Sequence, residues 1–338
     1  MTMMELNNKT VLISRTDSIG DVVLTLPMCV WIKKNYPTAK IIFLGNTYTK
    51  PVIECLPEID EIIEWAEMVK MPENSKVEFL KSKKIDVCIH VFPRKEIAAL
   101  IKKAKIETRV GTSHRAFHLL TCNIKLSFSR KSSDFHESQL NFELLKPFGI
   151  DVLPSIEEIS SWMKHFKAKD LPLPVNLETE MAKSTRKVIL HTKSQGSAME
   201  WPIEKYAIVA KDLLERGFSV IFTGTEKDGI YIRSFIPQHE NCIDTTGKLT
   251  LEQLINLISK SHILVACSTG PLHLAGILGL QTIGLYSPKR PIHPGRWQAV
   301  GENVQIIVND ENKEGSKIKP SMNSIEQIES ARVIALIK

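Results

Sequence analysis

One local pattern occurs twice in this chain, and it limits the folds open to it more than any other feature. Thr10-Val-Leu-Ile-Ser-Arg15 is a short apolar run that ends in a polar loop, Thr16 to Gly20, and then enters a helical pattern from Asp21. Lys187-Val-Ile-Leu-His-Thr192 repeats the arrangement, followed by the loop Lys193-Ser-Gln-Gly-Ser197 and a helix starting near Pro202. A buried strand, a short loop and a helix form the opening unit of a Rossmann-like half. Two openings in 338 residues, about twice an ordinary domain length, predict two α/β halves. A hydrophobic fraction of 43% and a charged fraction of 24% can fill two such cores, which excludes disorder, collagen-like repeats and coiled coil.

The rest of the pattern alternates accordingly. In the first half we expect strands at 40–44, 62–65, 86–91 and 108–110, with helices near 49–55, 73–82 and 95–104 and a long one near 133–148. The second half predicts helices at 203–216, near 228–235, at 251–260 and at 272–278, and strands at 219–223, 263–266 and 282–286. Leu171-Pro-Leu-Pro-Val-Asn176 reads as extended and non-helical, which places the linker there. The expected divisions are a first domain at 1–170, a second at 171–322, and a terminal helix at 323–338 packing back on a domain. Ligands of such halves sit at the carboxyl ends of the strands.

Six dispersed cysteines with no C-x-x-C pair read as buried thiols in a reducing compartment. No apolar signal core opens the chain and no apolar run reaches membrane-spanning length, so the expectation is a cytoplasmic protein, with peripheral association at the inner face of the membrane left open. The net charge of +6 is uneven. Between Arg94 and Lys131 ten basic residues stand against two acidic ones, a local excess of +8. Lys102, Lys103 and Lys105 read as a solvated helix face. Arg94, Arg109 and Arg115 read equally as solvated or as partners for anionic groups, for which the arginine fork is suited. No recognition motif or aromatic interleaving points to nucleic acid. His114 and His118 have helical i, i+4 spacing without a third ligand, so no metal is expected.

Neither a P-loop nor a G-x-G-x-x-G follows a strand, which excludes a P-loop ATPase and disfavours a dehydrogenase. Asp21 opens the first helix, either as a capping carboxylate or as an ionised base at a strand end. Cys267-Ser-Thr-Gly-Pro-Leu-His273 follows an apolar strand. Ser268, Thr269 and Gly270 there form either a plain helix cap or a phosphate site, with His273 beside it. Glu226, just past the strand 219–223, is either a solvated loop acid or a ribose contact.

Together these residues resemble glycosyltransferase family nine, the ADP-heptose:lipopolysaccharide heptosyltransferases. The resemblance is carried by Arg15-Thr-Asp-Ser-Ile-Gly-Asp-Val-Val-Leu-Thr-Leu-Pro27, Tyr36-Pro37, His191 with Trp201-Pro202, Gly224-Thr-Glu226, and Ser268-Thr-Gly-Pro-Leu-His-Leu-Ala275. It implies a GT-B architecture, two Rossmann-like domains facing across a cleft, and inverting transfer without metal or other cofactor. It makes Asp21 the general base, with Gly20 and Arg15 beside it on the acceptor side. On the donor side it implies Thr192, Lys193, Ser194, Ser268, Thr269, Gly270 and His273 near the pyrophosphate, Glu226 at the ribose and Leu249 at the base.

Two positions depart from the family. Met199 stands where a lysine usually precedes Trp-Pro, leaving Lys193 as the substitute cation, and Ser268 replaces an aspartate that contacts the transferred sugar. The implied partners are a nucleotide-diphosphate sugar and an anionic lipid A–core acceptor. Two rival readings are a non-catalytic nucleotide-sugar binder and a GT-B nucleotide-sugar 2-epimerase.

Overall fold

The computed structural model describes residues 3–130, 133–194, 196, 198–309 and 324–338. Two compact units divide the chain, Met1–Phe166 and Lys167–Lys338. Strands of the first unit are β1 (Thr10–Ser14), β2 (Lys40–Gly45), β3 (Glu61–Glu64), β4 (Val87–His90), β5 (Thr108–Thr112) and β6 (Ile124–Leu126). They form one parallel sheet in the order β3-β2-β1-β4-β5-β6. The second unit contributes β7 (Lys187–His191), β8 (Ser219–Thr223), β9 (Cys242–Asp244), β10 (Ile263–Cys267), β11 (Gln281–Tyr286) and β12 (Val304–Val308). These are parallel too, in the order β12-β11-β10-β7-β8-β9. Both orders are the 3-2-1-4-5-6 arrangement of a Rossmann-like sheet, so the expected pair of α/β halves is what the chain forms.

The central strands β1, β4, β7 and β10 are buried on both faces because helices cover the two sides of each sheet. That is why they read as unbroken apolar runs. One core in the first unit packs Leu12, Ile42, Leu44 and Cys88 against Ile97, Leu100 and Ile101 of helix Lys95–Lys103. The second unit's core joins Val188, Leu190 and Val265 to Tyr206, Val209 and Leu213 of helix Ile203–Glu215. Its last helix, Ser330–Leu336, lies on the same core through Val333. Trp201, buried, donates its indole N–H to Ile328 O at 2.9 Å and ties that segment down.

Several expected elements differ. The long helix expected over 133–148 is a helix at Glu137–Phe142 continued by a 3-10 turn at Glu143–Phe148, because Pro147 cannot continue the α-helical ladder. The extended stretch ends at Pro174, which caps a helix at Val175–Ala182, so Val175 and Asn176 are helical. The cysteines form no disulfide, and all but half-buried Cys242 are buried.

Candidate functional site

In each sheet the chain reverses its strand order between the first and fourth strands of the unit, and loops leaving those two carboxyl ends diverge. That switch point is where open α/β sheets hold ligands.

In the first unit the loops follow β1 and β4. Arg94, half-buried in the loop after β4, places Nη1 3.4 Å from Thr16 Oγ1 in the loop after β1, and its guanidinium lies 5.8 Å from the Trp65 ring. Asn46 Nδ2 donates to Thr16 O at 2.7 Å and Tyr48 OH to Asp17 O at 2.8 Å, fixing the first loop from β2. Asp21 lies in the first turn of helix Ile19–Val23, with Gly20 buried before it. Its carboxylate accepts from Ser18 Oγ and from Arg15 Nη2. Asp21 is thus the acid of that helix's first turn, with its carboxylate also held by a cation and a hydroxyl.

Arg15 is 3% exposed, and its Nε donates to Asp17 Oδ1 at 2.7 Å. Its Nη1 stands 3.4 Å from Glu137 Oε1, which also accepts from Arg130 Nε at 3.0 Å. Burial works against the Arg15 charge, and Asp17, Asp21 and Glu137 outweigh it, so the guanidinium is held above its ordinary value. The Arg15 guanidinium meets three carboxylates, Asp17, Asp21 and Glu137, and so holds Asp21 in place. Asp17, Glu137 and Arg130 were missed. Asp17 sits inside the quoted motif, whereas Glu137 lies 122 residues from Arg15, beyond any local spacing signal.

The basic stretch separates into two groups. Arg115 is exposed, before helix Ala116–Thr121 at the carboxyl end of β5. Arg109 is near the amino end of β5 and donates Nε to Thr121 O at 2.7 Å and Nη1 to Ile106 O and Glu107 O. Those carbonyls engage its Nε and Nη1 at the end of β5 opposite to Arg115. Lys102 and Lys125 donate to Leu120 O and Cys122 O, so three cations meet the carboxyl end of one helix, where they complement its dipole. Lys131 lies outside the described residues.

In the second unit the loops follow β7 and β10, and His191 pairs with Ala266 across the two strands. Tyr206 lies beneath both ends, its hydroxyl 3.4 Å from His191 O and 3.8 Å from Cys267 Sγ. Burial pushes His191 down to about 4, with Asp228 and Glu200 opposing, and its Nδ1 lies 2.9 Å from Thr223 Oγ1. Thr192 and Thr269 are buried, and neither hydroxyl has a hydrogen-bond partner among the described residues. Thr269 is the N-cap of helix Gly270–Ile277, yet its side chain caps no amide, so the plain-cap alternative does not describe this turn. Pro271 occupies the first turn and His273 is buried within it. Ser268 is half-buried at the mouth.

Lys193 Nζ donates to Glu200 Oε2 at 2.8 Å, and Ser194 N–H donates to Glu200 Oε1 at 2.8 Å. Burial raises the Glu200 carboxyl, but the hydrogen bonds from Lys193 and Ser194 outweigh it and hold the group below its usual range. Met199 packs against the unit's core, so the cation of this loop is Lys193. Gln195 and Ser197 of the same loop lie outside the described residues. Glu226, mostly exposed, is clamped by Arg233 Nη1 and Nη2 at 2.7 and 2.6 Å. Leu249 is half-buried before helix Leu251–Ser259. No group of three or more His, Cys, Asp or Glu among the described residues could hold a metal ion, and none of their helices is long and apolar enough to cross a membrane.

The sequence profile of glycosyltransferase family 9 (heptosyltransferase) matches residues 77–325. The chain belongs to that family. It is 24% identical over 288 residues to lipooligosaccharide heptosyltransferase 2 of Haemophilus influenzae, covering 81% of this chain and 82% of the relative. A family 9 glycosyltransferase from Veillonella parvula superposes with a TM-score of 0.77 at 21% identity, over 99% of this chain and 97% of the other. The E. coli heptosyltransferase WaaC with ADP gives 0.74 at 18% identity, over 97% and 98%. The likeness to these structures is one of fold, two Rossmann-like units of the GT-B class, and family membership makes the chain a glycosyltransferase.

Proposed function

We propose that this family 9 glycosyltransferase moves a heptose from an ADP-linked donor to a lipopolysaccharide-core acceptor with inversion, Asp21 acting as the base. The observation that carries the reading is the pair of buried hydroxyls, Thr192 and Thr269, without partners among the described residues, at adjacent strand ends above the start of an eight-residue helix. Buried polar groups are almost always hydrogen-bonded, so such a pair fits a ligand rich in acceptor oxygens. A diphosphate meets that description. Gly270 adds backbone with no side chain in the way, and Lys193 supplies positive charge as it exchanges Glu200 for phosphate. ADP fits as the nucleotide because WaaC is described with ADP.

The acceptor hydroxyl gives its proton to the Asp21 carboxylate while its oxygen bonds to the anomeric carbon. The bond from that carbon to the diphosphate oxygen breaks, and the electron pair leaves with ADP, where the Thr269–Gly270 turn stabilises the growing charge. A single displacement inverts the anomeric centre. Arg94 and Arg115, at the carboxyl edge of the first sheet, suit the phosphates of a lipid A–core acceptor. Exposed Leu119 and Leu120, with Lys102 bonded to the same helix, support peripheral contact with an anionic membrane.

Thermal-shift titration with ADP-, UDP- and GDP-sugars tests the donor, since a ligand bound only by the folded state raises Tm. Stabilisation by ADP-heptose alone is expected; stabilisation by a UDP-sugar alone overturns it. Asp21→Asn is expected to retain ADP-heptose binding and lose transfer to a heptose-deficient lipopolysaccharide by at least about a hundredfold. Retained transfer removes Asp21 from the role of base.

A further inference from the structure

Asp17 has no part in the mechanism above, yet it shares one cation with the base. Its Oδ1 accepts from Arg15 Nε at 2.7 Å, and Asp21 Oδ1 accepts from Nη2 of the same guanidinium. Nε–H and Nη2–H lie along one edge of the planar fork, so the two carboxylates stand side by side on it. Glu137 takes the remaining nitrogen, Nη1, at 3.4 Å. The other groups facing the pair are Tyr48, which donates to the Asp17 carbonyl, Ser18, which donates to Asp21, and Arg94, which reaches Thr16. Arg130 acts on Arg15 only through Glu137.

A carboxylate alone on an arginine loses about 1–3 pKa units and becomes a poor proton acceptor. Dividing the guanidinium among several carboxylates weakens its hold on each. We propose that Asp17 is a positioning residue that sets the base strength of Asp21, by occupying Arg15 Nε–H and placing a second negative charge beside the reacting carboxylate. This rests on the reading of Asp21 as the base. Burial, opposed by Arg15 and reinforced by Asp21, pushes the Asp17 carboxyl up to about 6, while burial with Asp17 and Asp21 pushes the Tyr48 phenol up to about 12.

Asp17→Asn keeps the side-chain oxygen for Arg15 and removes the charge. The neighbouring carboxylate then ionises more easily and accepts protons less well. The acid limb of kcat/KM is expected to move down by about one pH unit and the plateau to fall several-fold. Asp17→Glu, which restores the charge, is expected to return the limb. A merely structural role lowers the plateau and leaves the limb in place, which overturns the proposal. Asp17→Ser repeats the measurement if the asparagine variant melts early.

A second readout needs no turnover. The carbon-13 carboxyl signal of Asp17 in the full chain is expected to titrate near 6 and to drop by about one unit in Asp21→Asn. An unmoved midpoint overturns the coupling. Full transfer by Asp21→Asn sinks the base reading itself, even where that midpoint moves.

Discussion

Thr192 and Thr269 leave adjacent parallel strands, β7 and β10, with buried hydroxyls that no group among the described residues satisfies. Leaving a hydroxyl buried without a partner costs about 1–3 kcal/mol, so the arrangement favours binding over stability. Thr269→Val removes the hydroxyl at nearly constant volume. The free protein is expected to hold its Tm or gain up to about 1 kcal/mol, while ADP-heptose binds about tenfold more weakly by calorimetry. A drop in Tm with unchanged affinity means that the hydroxyl serves the fold.

Lys193 is held by Glu200 at 2.8 Å, and the place where the family usually carries a lysine is filled by core-packed Met199. A charge-assisted contact to phosphate is worth about 1.5–3 kcal/mol. Lys193→Ala is therefore expected to weaken the donor about ten- to a hundredfold, as read from KM for ADP-heptose. Unchanged turnover and donor affinity exclude Lys193 as the phosphate cation.

Arg94 and Arg109 come from one basic stretch and are expected to fail differently. Arg109 is spent on carbonyls at the amino end of β5, so Arg109→Ala should cost about 1–3 kcal/mol in urea unfolding and leave the acceptor KM alone. Arg94 is at the carboxyl end of β4, stacked near Trp65. Arg94→Ala should raise the acceptor KM about tenfold and cost no more than about 1 kcal/mol, the value of a cation–π contact. Equal effects of the two on the acceptor contradict the division.

Both sheets were legible where strands are buried on two faces. β1, β7 and β8 read as apolar runs because all their positions but Thr10 and His191, at strand ends, are buried. The edge strands β6, β9 and β12 are short or half-exposed, and their mixed residues resemble loop. Asp21 and the Thr269–Gly270 turn stand out in the sequence because each lies where an apolar strand gives way to a helix start. The network behind Asp21 does not. Glu137 reaches Arg15 by tertiary packing and brings Arg130 with it, which leaves no periodic trace. The same holds for Arg109, whose carbonyl partners appear only once β5 and helix Ala116–Thr121 are built.

His90, at the carboxyl end of β4, is 1% exposed with its ring 5.3 Å from that of His118. Burial, with His118 and Arg109 adding to it, pushes its imidazole down to about 3. In the unfolded chain a histidine titrates near 6.5. The folded value is the lower one, so the unfolded state binds the extra proton and stability falls as pH drops through 6.5. By pH 5 one such histidine removes about 2 kcal/mol. Asp17 runs the other way: its folded value of about 6 lies above the ordinary 3.8, so acid between those values favours the folded state. Comparing variants isolates the histidine. Urea unfolding at pH 7 and pH 5 should show wild type losing about 2 kcal/mol more than His90→Asn. Equal losses in the two proteins mean that His90 is not the neutral buried group that makes this fold sensitive to acid.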